Sequence, residues 1–184
     1  MMRPEAPEIH VTAIGDSITA GSPWDDDPAI GWPAAAAKAD HRVRFTVRAV
    51  YGKRTDEIAA WLDEAVAGSE VLVVQGGIND IAQGRPVADA AANLRAMIRR
   101  GQDLGLRVAV ANVLPWDNGW PGAEAPIREL NALIDGMGVP VLPFHETLED
   151  PERPGRMRDE WTSDGDHPSV EGYRRLGEIA FRLP

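Results

Sequence analysis

Short, almost unbroken apolar runs alternate along this chain with stretches in which apolar side chains recur every three or four positions. Residues 9–14, 43–50, 71–75, 106–114 and 139–144 form the first kind. Such runs predict strands buried on both faces, the pattern of a parallel sheet. Between them, Ile58, Trp61, Leu62, Ala65 and Val66 share one helical face, and so do Val87, Ala90, Ala91, Leu94, Met97 and Ile98, with Gly101 as the expected helix end. Ile127, Leu130 and Ile134 repeat the spacing behind Pro126, and Tyr173, Leu176, Ile179 and Ala180 repeat it behind Ser169, a good N-cap. Alternating strand and helix require right-handed βαβ crossovers. The predicted class is therefore α/β: a three-layer α/β/α sandwich with a five-stranded parallel sheet in flavodoxin-like order. Residues 21–31 and 151–165, rich in Pro and charge, escape the alternation and read as long loops.

Composition narrows the picture. A length of 184 residues suits a single domain spanning 1–184, and 43% apolar with 26% charged residues is the balance of a soluble globular protein. A net charge of −10 repels phosphate backbones and anionic lipid heads, so neither nucleic acid nor stable membrane association is expected. The chain has no cysteine, which removes disulfides, thiolate metal sites and cysteine nucleophiles. No apolar run reaches bilayer length, and the first eight residues lack the apolar segment of a secretory signal. The expected location is cytoplasmic, although a secreted chain trimmed of its signal would look the same. The oligomeric state is left open.

The candidate chemistry lies in the loops. In a parallel sheet all strand carboxyl ends share one rim, where open α/β sheets keep their reactive groups. Gly15-Asp16-Ser17-Ile18-Thr19 follows the first predicted strand, Gly52 the second, Gly76-Gly77-Ile78-Asn79-Asp80 the third, and Pro115-Trp116 the fourth. Asp164-Gly165-Asp166-His167-Pro168 precedes the last helix. A serine hydroxyl needs a neighbouring base to attack an ester, and an imidazole oriented by a carboxylate supplies one. Asp164, three residues before His167, can fold back onto the ring through a turn, whereas the adjacent Asp166 more naturally points away. The backbone N–H groups of Ser17 and Gly52 and the side-chain amide of Asn79 could converge as an oxyanion hole. Trp24, Trp116 and Trp120 lie in rim loops and could wall a substrate pocket or merely pin those loops, while Trp32 reads as core. His145 is the rival base. His10 and His41 sit at the opposite rim, and Asp25-Asp26-Asp27 reads as a solvated run.

Each motif has a dull explanation alone: a turn serine, an Asn-Asp turn, a glycine kept for its backbone freedom. In order and together, they resemble the SGNH family of GDSL-type esterases and lipases. GDSIT resembles the nucleophile block, GGIND the block with the oxyanion-hole asparagine, and DGDHP the terminal Asp-x-x-His block. The stretch 47–52 departs from the family pattern, having neither the usual upstream asparagine nor a small residue before Gly52. The resemblance implies a Ser17–His167–Asp164 triad, no metal and no organic cofactor. The expected activity is hydrolysis of small or short-chain acyl esters through an acyl-enzyme on Ser17, with acetyl esters of carbohydrates as one version. Two other classes are retained: a non-catalytic carbohydrate- or partner-binding relative, and a metal-dependent hydrolase using Asp164, Asp166 and His167.

Overall fold

The computed structural model describes residues 7–22, 27 and 29–184. Its central sheet contains β1 (Ile9–Gly15), β2 (Val43–Ala49), β3 (Val71–Val74), β4 (Arg107–Ala111) and β5 (Val141–Leu142). All are parallel, in the order β2-β1-β3-β4-β5. This is the flavodoxin-like order. Side chains alternate across the sheet, so Val71 and Val73 enter one core while Leu72 and Val74 enter the other. Burial on both faces is why β3 and much of β1 and β4 read as apolar runs; β2, at the sheet edge, departs from that expectation and leaves Arg44, Thr46, Val47 and Arg48 exposed.

The first core lies under α2 (Trp32–Ala39), α8 (Phe144–Leu148) and α9 (Val170–Arg175). Trp32, fully buried, is its largest member and meets Phe45, Phe144 and Phe181 at ring centroid distances of 5.4, 5.5 and 5.7 Å. The second core lies under α3 (Thr55–Ala59), α4 (Leu62–Ala65), α6 (Val87–Asp103) and α7 (Glu124–Asp135). Two short helices, α1 (Ser17–Ala20) and α5 (Ile78–Ala82), start just past the carboxyl ends of β1 and β3. Among the described residues no helix is long and apolar enough to cross a membrane.

Several local expectations are corrected. The helix expected around residues 58–66 is two, α3 and α4, separated by a tight turn in which Ala60 N–H donates to Glu57 O and Trp61 N–H to Ile58 O. Gly101 lies inside α6 rather than ending it; a Cβ there would come within 2.8 Å of Leu72 and 2.9 Å of Val108, so the glycine lets the helix approach the sheet. The last strand shrinks to two residues because Pro140 and Pro143 bracket it and neither offers an N–H. The loop predicted over 151–165 carries structure of its own. There β6 (Glu149–Asp150) pairs antiparallel with β7 (Arg153–Met157), followed by a 3₁₀ turn at Asp159–Trp161. The alanine-rich α2 shows too little apolar–polar contrast to have been read as an element.

Ser169 caps α9 by accepting a hydrogen bond from Gly172 N–H at 3.1 Å. Beyond Arg175 the helix widens into a π turn, Leu176–Ala180, which rotates the predicted stripe. Ile179, expected in the core, is consequently 46% exposed, whereas Phe181 is buried. Gly177 permits the close packing of this turn on α2. A Cβ there would lie 2.5 Å from Trp32 O and 2.6 Å from Ala36 N, both backbone atoms that cannot swing aside. Gly177→Ala is therefore expected to lower stability by about 2 kcal/mol through overpacking. Chemical denaturation checks this, and an unchanged midpoint would contradict the packing argument.

Candidate active site

The carboxyl end of β1 turns sharply at Gly15, where a Cβ would lie 2.4 Å from Gln75 Oε1 and 2.8 Å from Thr19 Oγ1. Asp16 follows, fully buried, and caps α1 with Oδ1, which accepts from Ile18 N–H at 2.9 Å and from Gln75 Nε2 at 2.8 Å. Gln75 Oε1 in turn accepts from Thr19 Oγ1 at 2.7 Å, and Thr19 Oγ1 accepts from Trp32 Nε1 at 3.2 Å. This polar chain anchors the start of α1 to the aromatic core. Ser17 is thereby held at the first position of α1, with only 7% of its surface exposed. Its carbonyl accepts from Tyr173 Oη at 3.3 Å; burial pushes that phenol far up, so it remains a neutral donor.

His167 arrives from the opposite end of the chain. Its Nε2 lies 3.0 Å from Ser17 Oγ, and its Nδ1 lies 2.8 Å from Asp164 Oδ2. Asp164 Oδ1 accepts two backbone N–H bonds, from Asp166 at 2.8 Å and His167 at 2.7 Å. Burial raises the Asp164 carboxyl, but the His167 ring and these two amides outweigh it and hold the group below the usual carboxylate range. An ionised Asp164 accepts the Nδ1 proton, which leaves Nε2 as the acceptor facing the serine hydroxyl. The arrangement can therefore draw a proton from Ser17 and stabilise the resulting imidazolium.

Asn79, half-buried in α5, donates from Nδ2 to Lys53 O at 3.1 Å and to Asp16 Oδ2 at 3.4 Å. Gly52 is exposed with φ +74°, a conformation that favours glycine, and its carbonyl accepts from Gln83 Nε2 at 3.2 Å. Among the described residues, the backbone N–H groups of Ser17 and Gly52 donate to no protein acceptor. Trp116 lines a narrow cleft of about 20 Å³ with Ile18, Ile78, Val113 and Leu114, and Trp120 meets its ring edge-to-face at 5.3 Å. Trp24 lies outside the described residues. Asp166 turns away from the His167 ring and accepts from Trp116 Nε1 at 2.7 Å.

His145 belongs to a separate buried group. Its Nδ1 bonds Val113 O at 2.8 Å, and among the described residues its Nε2 makes no hydrogen bond, with Glu149 Oε1 3.4 Å away. Among the described residues no three His, Cys, Asp or Glu side chains gather as metal ligands would. Sequence reasoning missed Gln75 and Tyr173 as polar supports of Ser17, since each was legible only as part of a strand or an apolar helical stripe.

The model of the GDSL-like Lipase/Acylhydrolase family matches residues 13–175. Fold and family together define the class: this chain belongs to that family, and so to the ester hydrolases of esterase or lipase type. Solved structures share the fold. A G-D-S-L family protein from Desulfitobacterium hafniense DCB-2 is 21% identical, with TM-score 0.81, covering 93% of this chain and 97% of that one. A member of the lipolytic protein G-D-S-L family from Veillonella parvula DSM 2008 is 21% identical, with TM-score 0.78 and coverages of 92% and 94%. The lipase Lip_vut3 from a goat rumen metagenome is 20% identical, with TM-score 0.75 and coverages of 92% and 94%. No curated protein matches the chain.

Burial pushes the Asp16 carboxyl up to about 6, although bonds from Ile18 and Gln75 and the nearby His167 oppose the rise. Because the folded value exceeds the unfolded one, Asp16 weighs least on stability below about pH 4. Its cost grows as pH rises to about 6, where the folded group also ionises. This contribution is worth about 3 kcal/mol across that window. Asp16→Asn should flatten the corresponding part of the pH–stability curve, read from denaturation midpoints between pH 4 and 7. An unaltered slope would show that the buried carboxyl is not the source.

Proposed function

We propose that this chain is a single-domain serine ester hydrolase in which Ser17 is the nucleophile, His167 the general base and Asp164 the orienting acid. The observation that carries the reading is the continuous relay from Ser17 Oγ through His167 to Asp164, with contacts of 3.0 and 2.8 Å. Ser17 Oγ attacks the ester carbonyl while its proton passes to Nε2. The tetrahedral oxyanion collapses, the C–O bond to the alcohol breaks, and the proton on Nε2 goes to the departing oxygen. Water, deprotonated by the same nitrogen, then attacks the acyl-enzyme and releases the acid and Ser17.

The oxyanion is assigned to the Ser17 and Gly52 N–H groups and the Asn79 amide. The two backbone donors are unspent, and the 3.4 Å bond from Asn79 to Asp16 is the longer of that amide's two and the easier to surrender. No cofactor is invoked. The narrow cleft that starts at Ile18, next in sequence to Ser17, is assigned to the acyl group, and its apolar lining by Ile78, Val113 and Leu114 suits small or short-chain acyl groups. The Trp116–Trp120 pair at the rim suits a sugar on the alcohol side, so acetyl esters of carbohydrates are the more specific version of this reading. A metal-dependent route through Asp164, Asp166 and His167 is disfavoured, because Asp166 and Asp164 point to different partners.

Ser17→Ala should abolish hydrolysis of p-nitrophenyl acetate with the circular dichroism spectrum unchanged; retained turnover would discard the mechanism. Asn79→Ala should lower kcat roughly a hundred- to a thousandfold with a smaller effect on KM. A chelator should leave the rate as it is, and Asp164→Ala should cost more than Asp166→Ala. Equal losses for those two variants would reassign the orienting acid.

A further inference from the structure

The turn that carries Asp164 and His167 belongs to neither sheet nor helix. Within itself it is closed by Thr162, whose Oγ1 donates to His167 O at 2.9 Å and accepts from Gly165 N–H at 2.9 Å. Those bonds shape the turn but do not place it relative to Ser17. Apart from the His167–Ser17 bond, the hydrogen bonds that tie residues 163–167 to more distant parts of the described chain come from one loop, just beyond β4. Trp116 Nε1 donates to Asp166 Oδ1 at 2.7 Å, Asp117 N–H to Gly165 O at 3.0 Å, and Asn118 Nδ2 to Asp164 O at 2.6 Å. Three successive residues thus grip three successive residues.

We infer that the loop Trp116-Asp117-Asn118 is a clamp that positions the acid–base turn over Ser17, an inference that rests on the proposed roles of His167 and Asp164. Two further observations fit a rigid clamp rather than a loose surface contact. The loop is itself fixed from behind, since Asp117 Oδ1 accepts from Met157 N–H at 2.8 Å and Trp116 abuts Trp120. The turn is also shaped to receive it: Gly165 has φ +84°, and a Cβ there would lie 2.8 Å from Asn118 Nδ2 and 3.0 Å from its Cγ. Only glycine both adopts that conformation and admits the Asn118 amide. Trp116 and Asp166 also line the cleft beside Ile18, so the clamp borders that cleft as well as the turn that carries His167.

A misplacement of the base by about 1 Å can cost up to a hundredfold in rate. Asn118→Ala and Asp166→Ala are therefore expected to lower kcat for p-nitrophenyl acetate by about tenfold or more, with KM changed less than twofold. Asp166→Asn keeps an oxygen acceptor for the Trp116 N–H and should retain clearly more of kcat than Asp166→Ala. The proton NMR signal of the His167 Nδ1–H, protected by Asp164 in the parent, should broaden or vanish in Asn118→Ala. If the loop served stability alone, both alanine variants would show lower unfolding midpoints with kcat per folded molecule and the imidazole signal unchanged, and the clamp would be refuted. Should Asn118→Ala fail to fold, the Asp166 pair decides, and equal kcat for Ala and Asn at that position overturns the inference. Ser17→Ala run alongside separates the two claims: activity surviving in that variant defeats the catalytic reading, whereas its loss with normal clamp variants defeats the clamp alone.

Discussion

Parallel pairing of β1 with β2 on one side and β3 on the other governs where polar chemistry can exist in this protein. Both faces of β3 and of most of β1 are sealed by apolar helices, so a reactive side chain along their length would be buried without water or substrate. The carboxyl rim is the place where the backbone leaves the sheet and polar side chains can meet. Ser17, Gly52 and Asn79 follow the ends of β1, β2 and β3, so the sheet order sets their neighbourhood before any side chain is chosen.

Holding a hydroxyl at that rim has a polar cost beneath it. Asp16 is fully buried, and it is tolerable because Ile18 N–H, Gln75 and Asn79 all donate to its carboxylate. The same network reaches Trp32 through Thr19, coupling the α1 start to the largest buried side chain of the first core. Asn79 is shared between this support and the proposed oxyanion site, so a group that braces the resting loop is also poised to serve the transition state. That economy follows from crowding several strand ends into one small space.

The other half of the relay is built differently. His167 rides on a turn whose internal bonds are local, while its placement comes from the loop leaving β4 and from Ser17 itself. Sheet geometry fixes Ser17, the proposed nucleophile, and bonds from a neighbouring loop fix the turn of His167, the proposed base. The β6–β7 hairpin contributes as well, since Met157 steadies Asp117 from outside the sheet.

Much of this was legible without coordinates, for identifiable reasons. Strand identity is a local property: a short, largely apolar run such as Val71–Val74, buried on two faces, can be read one window at a time, and strand–helix alternation then restricts the topology. The Ser17, Asn79 and His167 blocks could be named because each is short and follows or precedes a readable element. What stayed hidden depended on partners far away in sequence. The Trp116–Asp166 and Asn118–Asp164 bonds span 50 and 46 residues, and nothing in the local composition of either loop announces the other. The π turn at Leu176–Ala180 and the burial of Gly101 answer to the packing of α2 and β3, not to helical periodicity. The chain alone thus determined its layers, its strand polarity and the inventory of reactive groups, because these follow from local pattern and chain direction. Only the tertiary structure decided that this imidazole meets Ser17 and what holds its turn in place, because those contacts depend on distances of a few ångströms between segments that folding alone brings together.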